Sequence, residues 1–234
     1  MKTWALRRVD TLEWLDLGRG SAWDVRQNLA EMDRINHWLG GTAAITRHLY
    51  PRLRACTQRV LVADLGTGSA GVPASIQAWG KRHGLDVHAI GIDWSQRNLS
   101  AARHLLKTRS LPPLVCADAS RPPFALGGFD FVISSMFLHH FDPPSAVQVL
   151  RQAYELCSAG LIMGDLVRGR LPWLAFRLAQ PVFARHPFTR HDGVLSIRRA
   201  YTPTELRELA AWAGIPNARV YTHPFWRMTL VADK

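Results

Sequence analysis

The chain has 234 residues, 47% of them apolar and 20% charged, which is enough for one α/β domain with a full core and a helical extension and excludes disordered and fibrous classes. Its formal net charge of +11 comes from 29 basic against 18 acidic side chains. The basic residues are spread along the chain rather than gathered in one run, so an arginine-rich composition accounts for the charge and a nucleic-acid partner is not expected.

Cys56, Cys116 and Cys157 are scattered without metal-type spacing and read as reduced thiols of a cytoplasmic protein. Asp10, Glu13 and Asp16 stand where a signal peptide would be apolar. The apolar stretch from Leu171 to Ala184 is interrupted by Arg177 and Pro181 and is too short to cross a bilayer.

Residues 1–20 read as a polar, partly helical lead-in with exposed Trp4 and Trp14. Ser21 is placed to cap a helix, with Asp24 three residues on as its capping-box partner. Leu29, Met32, Ile35 and Leu39 then recur at helical spacing until Gly40-Gly41 ends the run. A second helix is expected from Thr42 to about Arg54. These two helices are placed to cap a cleft, where Arg34, Asn36 and His37 could face either a ligand or solvent.

The stretch Val60-Leu61-Val62-Ala63-Asp64-Leu65-Gly66-Thr67-Gly68-Ser69-Ala70-Gly71 is the pivotal one. Its apolar run fits a buried parallel strand, and its glycines fit a tight turn into a helix from about Val72 to His83. Glycine lets a ligand approach the backbone with no Cβ in the way. Gly66-x-Gly68-x-x-Gly71, with Asp93 following, matches a dinucleotide fingerprint. Asp64 argues against that ligand, because a carboxylate here opposes a pyrophosphate seated on helix N–H groups. An ammonium and a sulfonium would be attracted instead, which points to S-adenosylmethionine.

The second strand, Val87 to Ile92, ends in Asp93, which can accept two hydrogen bonds from ribose hydroxyls; Trp94 beside it offers a flat face to adenine. Asp93 could equally cap the helix starting near Ser95. The third strand, Leu114 to Ala117, closes on Asp118 and Ala119, a carboxylate and an N–H suited to an adenine edge. Phe129 to Ser135 is the fourth strand, followed by Met136-Phe137-Leu138-His139-His140-Phe141. Asp142-Pro143-Pro144-Ser145 is superficially like the acidic-Pro-Pro-aromatic sequence of nucleobase amino-methylating enzymes. It lies beyond the strand end and lacks the aromatic, so the prolines are read as starting a helix that runs to about Cys157.

The succession of glycine turn, ribose acid, adenine acid and "FDFVISSMFLHHF" resembles the class I S-adenosylmethionine-dependent methyltransferases. Within them it is most similar to the small-molecule branch that includes the ubiquinone and menaquinone biosynthesis methyltransferases. The resemblance covers about residues 58–234 and departs from the family at Ala70, where a third glycine is usual. It implies that Asp64, Gly66 and Gly68 hold the methionine part of the cofactor, Asp93 the ribose, and Asp118 and Ala119 the adenine; Thr67 and Trp94 are further candidates for the cofactor. It also implies that Ser135 approaches the sulfonium.

The fifth strand, Gly160 to Asp165, leads into a largely apolar helix over Leu171 to Leu178, at the place of a substrate lid. Such a lid suits a greasy acceptor, although a core or dimer helix reads the same way, and a basic apolar helix could also touch a membrane surface. His186 to Arg199 is polar and turn-rich and is expected to be a loop; His191-Asp192 in it is a hydrogen-bonded pair. A capped helix from Thr202 to Gly214 and a closing antiparallel hairpin, about Ala218 to Tyr221 and Trp226 to Ala232, complete the chain.

The expected architecture is a doubly wound, Rossmann-like α/β fold with a mixed sheet of about seven strands, the last antiparallel. An N-terminal helical extension over 1–56 precedes a cofactor-binding domain over 57–234, with a lid near 168–200. The expected activity is methyl transfer from S-adenosylmethionine, leaving S-adenosylhomocysteine, to a small lipophilic aromatic or quinol-like acceptor, with oxygen favoured. His139, His140 and His191 are the candidate bases. No metal constellation is visible. An RNA methyltransferase, a non-catalytic cofactor-binding module and a dinucleotide oxidoreductase are the alternatives, and monomer or homodimer is left open.

Overall fold

A computed structural model describes residues 6–107 and 111–234. Seven strands form one sheet: β1 (Val60–Leu65), β2 (Val87–Asp93), β3 (Leu114–Cys116), β4 (Phe129–Ser135), β5 (Cys157–Leu166), β6 (Arg219–His223) and β7 (Arg227–Asp233). Their spatial order is β3-β2-β1-β4-β5-β7-β6. The first five run parallel, and β7 is antiparallel to both β5 and β6. The Rossmann-like, doubly wound mixed sheet expected from the strand pattern is therefore present, with strand order reversing between β1 and β4. Such a reversal opens a crevice at the carboxyl ends of the strands, and Asp64, Asp93 and Ser135 all arrive at that edge.

Eight α-helices accompany the sheet among the described residues: α1 (Ala22–Trp38), α2 (Gly41–Ala55), α3 (Gly71–Arg82), α4 (Gln96–Leu105), α5 (Pro143–Leu156), α6 (Arg170–Phe183), α7 (Pro187–Arg199) and α8 (Pro203–Trp212). Local chemistry explains their ends. Ser21 and Asp24 form a reciprocal capping box on α1, as do Thr202 and Glu205 on α8, and Asp142 caps α5 ahead of two first-turn prolines. Ser95, not Asp93, caps α4. One apolar layer joins α2 and α3 to the sheet through Ile45, Leu49, Leu53 and Ile76 against Val62 and Ile133. The opposite layer joins α5 and α8 through Val149, Leu150, Leu206 and Leu209 against Leu161 and Leu230.

Three expectations are corrected. Residues 187–199 form α7 rather than a loop. The helical period is present there, but it is carried by polar side chains: Thr189, Asp192, Ser196 and Arg199 are all buried, so no apolar stripe marks the helix. Trp14 is half-buried rather than exposed, stacked on the His191 ring with centroids 4.1 Å apart; Trp4 lies outside the described residues. The lead-in also has little helix. Residues 6–20 form an extended strap with one turn, tied across α7 by Trp14 and Leu15 N–H groups donating to Asp192 at 2.9 and 3.2 Å and by Arg199 donating to the Thr11 carbonyl at 2.8 Å.

Leu161 on β5 is fully enclosed, whereas Leu178 on α6 is 72% exposed. Leu161→Ala should lower unfolding free energy by about 2–5 kcal/mol through cavity formation, and Leu178→Ala by no more than about 0.5 kcal/mol. Denaturant titration of the two variants checks this; equal losses would contradict the packing described.

Candidate active site

A cavity of about 500 Å³ opens at the carboxyl edge of β1, β2 and β4, within the range of small-molecule sites. The tight turn after β1 forms its floor. Gly66 has φ +68°, and a Cβ there would come within 2.1 Å of the Phe137 ring; a Cβ on Gly71 would meet the Asp33 carboxylate at the same distance. At Gly66, where positive φ and the aromatic ring coincide, glycine is a steric requirement. Ala70 also adopts left-handed geometry, at φ 56°, so the position where the resembled family carries glycine has kept the glycine-type backbone.

Asp64 is the central charge. It is buried, its Oδ2 accepts from the Thr67 hydroxyl at 2.7 Å, and its Oδ1 has no hydrogen-bond partner among the described residues. Burial, with Asp93 adding like-charge repulsion against the Thr67 hydrogen bond, pushes its pKa up to about 7. An unpartnered buried carboxylate oxygen on a cavity wall is unfavourable until a cation reaches it. That fits the ammonium of an amino-acid-bearing cofactor and does not fit a diphosphate. Asp93 accepts from the Gly68 N–H at 2.9 Å and the Ser95 N–H at 2.8 Å, with Asn98 at 3.3 Å, so it locks the turn while facing the cleft. Trp94, Asp118, Ala119 and Ser135 also line the cavity. Ser135 accepts from Asn36 Nδ2 at 3.1 Å, which anchors α1 over the site. Arg34 and His37 of the same helix are exposed, and α2 packs behind the sheet instead of capping the cleft.

The three histidines have different settings. His139 is enclosed, with its Nδ1 2.7 Å from Asp165 and its Nε2 3.6 Å from Glu13. Burial alone would depress its pKa, but Asp165 and then Glu13 hold it up to about 10. It is therefore a protonated, fixed cation at neutral pH and unsuited to accept a proton. His140 lines the cavity with Nδ1 3.0 Å from Asp16 Oδ2. Burial opposes ionisation of Asp16, yet its hydrogen bond to His140 and the charges around it hold its pKa below the usual value. His191 is not brought to the cleft. It stacks on Trp14, and its Nδ1 pairs with Asp192 at 2.7 Å.

Glu13, Asp16, Asn36 and Arg227 line the site, and sequence reasoning assigned a role to none of the first two nor to Arg227. Glu13 and Asp16 lie more than a hundred residues from their histidine partners, and no short-range pattern marks them. Glu13, His139 and His140 also place three atoms of metal-ligating type within 4.8 Å of one another, a grouping invisible in the sequence. Asp165, Asp16 and Ser196, whose hydroxyl donates to Glu13 at 2.7 Å, already engage all three.

Two measurements check these charges. A cation at Asp64 should pull its pKa down from about 7, so affinity for S-adenosylmethionine should rise with pH up to about 7, level off above it, and be accompanied by proton release. Calorimetry in buffers of different ionisation heat reads this, and Asp64→Asn should weaken binding at least roughly tenfold and flatten the profile. For His139 the folded pKa is the raised one, so its stabilising contribution is complete below about 6.5 and is lost as pH rises towards about 10. Melting temperature should accordingly fall from pH 7 to pH 10; a flat profile would contradict the buried imidazolium.

A family model described as a methyltransferase domain matches residues 62–160. No curated protein matches the sequence significantly. Among solved structures, an S-adenosylmethionine-dependent methyltransferase from Aquifex aeolicus superposes with TM-score 0.61 at 14% identity, over 89% of this chain and 97% of that one. The magnesium protoporphyrin IX methyltransferase of Synechocystis with bound SAH gives 0.56 at 17%, over 86% and 84%. A protein of Bordetella parapertussis gives 0.59 at 18%, over 82% of this chain and 66% of that one, so the chain spans just under two thirds of that protein. These similarities establish a shared fold, to which the matched domain and the cation-seeking Asp64 add the chemistry. A methyltransferase domain therefore covers residues 62–160, and the chain has the fold shared by S-adenosylmethionine-dependent methyltransferases.

Proposed function

We propose that the chain transfers the methyl group of S-adenosylmethionine to the oxygen of a small, lipophilic aromatic or quinol-like acceptor. The observation that carries this reading is the His140–Asp16 pair on the wall of the same cavity as the cofactor residues. A phenolic oxygen needs its proton removed as it attacks, and an imidazole oriented by a carboxylate is suited to do so. Leu12, Leu15, Met136, Phe137 and Phe141 line that cavity too, giving an apolar ring somewhere to bury.

When bound, the cofactor supplies an already activated sulfonium methyl. The protein's part is to position the acceptor, exclude water and move one proton. Asp64, Thr67 and Gly68 seat the methionine end, Asp93 and Trp94 the ribose and adenine side, and Asp118 and Ala119 the adenine edge. Ser135, tied to Asn36, closes the sulfonium side. Asp16 holds the proton on His140 Nδ1, leaving Nε2 to take the acceptor proton. His139 is the charged partner of Glu13 and Asp165 that keeps the wall in shape.

A turnover assay over phenols and quinols tests this. His140→Asn should reduce kcat roughly 10²- to 10⁴-fold with little change in S-adenosylhomocysteine affinity, and Asp16→Asn roughly tenfold or more while shifting the pH–rate profile. Full activity in His140→Asn would remove the base assignment. Thermal stabilisation by RNA, with no turnover of any phenol or quinol, would favour the RNA methyltransferase reading instead.

A further inference from the structure

The second face of α6 has no role in the chemistry above. Trp173 and Phe176 turn inward, packing with Met136, Leu166 and Ile197, and Gly193 of α7 lets the Phe176 ring seat there, since a Cβ would lie 2.5 Å from it. The outward face carries Leu171, Leu174, Leu178 and Val182, exposed by 59%, 48%, 72% and 70%. Their spacing of three, four and four residues makes one continuous stripe along the helix. Solvated helices normally show polar side chains on that side, and a continuous apolar strip marks an interaction surface.

Charge identifies what covers it. Between residues 168 and 199 every ionisable side chain other than histidine is arginine, save Asp192, which is buried. Arg170 and Arg177 stand at the edge of the stripe one helical step from Leu174, and Arg185 follows the helix; all three are exposed. Arginine can lay its aliphatic stem along an apolar surface and keep its guanidinium among phosphates. An apolar stripe edged by cations, with no exposed carboxylate between residues 168 and 199, is the complement of an anionic bilayer surface. No described helix is long and apolar enough to cross a membrane, so the contact is with the interface.

We propose that the outer face of α6 docks the enzyme on anionic lipid bilayers. The inference holds whichever atom is methylated. Its consequence for the proposed acceptor class is direct: α6 packs on α7, whose Asp192 and Ser196 line the cavity, so a lipid-dissolved acceptor would be met one helix layer from the site.

Co-sedimentation of the full chain with vesicles of phosphatidylcholine, or of phosphatidylcholine mixed with phosphatidylglycerol, tests this. Binding to the mixed vesicles should exceed binding to the neutral ones at least tenfold and weaken with salt. The double substitution Leu174→Gln, Leu178→Gln should lower vesicle binding roughly tenfold or more, with melting temperature and S-adenosylhomocysteine affinity unchanged because both side chains are on the surface. No binding to mixed vesicles would overturn the proposal, as would binding that ignores the double substitution. A dimer in light scattering that the same substitutions dissociate would overturn it in favour of a second copy of the chain. Failure of the phenol and quinol assay leaves the vesicle result standing, so the two readings can fail separately.

Discussion

A carboxylate enclosed by protein with one oxygen unpaired is the constraint from which the site follows. Asp64 sits buried at the end of a strand, and among the described residues only the Thr67 side chain donates to its carboxylate. Such a group either takes up a proton or awaits a cation. The fold serves that group. The β1–β4 reversal opens space in front of it, Gly66 and Gly71 clear the backbone, and Asp93 clamps the turn through the Gly68 N–H. A diphosphate would be repelled at this point, so one side chain separates two cofactor classes that share a glycine-rich turn.

The opposite wall is built differently, from polar groups that satisfy one another. α7 buries Thr189, Asp192, Ser196 and Arg199 and has them hold the N-terminal strap and the turn after β4. Asn28 of α1 donates to Thr189 at 3.2 Å, and Arg199 donates to the carbonyls of His139 and His140. Buried polar networks are tolerable only when nearly every member is paired. Here the pairing fixes Glu13 and Asp16 against two adjacent histidines. His139, between Asp165 and Glu13, is held as a cation, while His140 pairs with Asp16 on the cavity wall.

The segment after β5 is two-faced. Its inner helix gives polar groups to the cleft, and its outer helix shows leucines and arginines to the outside. Tight seating of Phe176 over Gly193 makes the two helices one unit. Whatever α6 touches therefore bears on the wall that holds the strap and its carboxylates.

Sequence alone determined the sheet, the helix ends and the cofactor edge, because these depend on neighbours close in the chain. The β1 apolar run, the Ser21–Asp24 and Thr202–Glu205 capping boxes and the acids ending successive strands are each written within a few residues. All nine residues expected at the cofactor line one cavity. Only the tertiary structure decided the other wall. Asp16 meets His140 across 124 positions, and Ser196 meets Glu13 across 183. α7 carries no apolar stripe, because the face it buries is mostly polar, so its helical period is not legible in the sequence. His191 has a carboxylate beside it in the sequence, as a base would, yet its ring stacks on Trp14 away from the cleft. Contacts between distant segments are set by how the layers pack, and that information resides in no short stretch of chain.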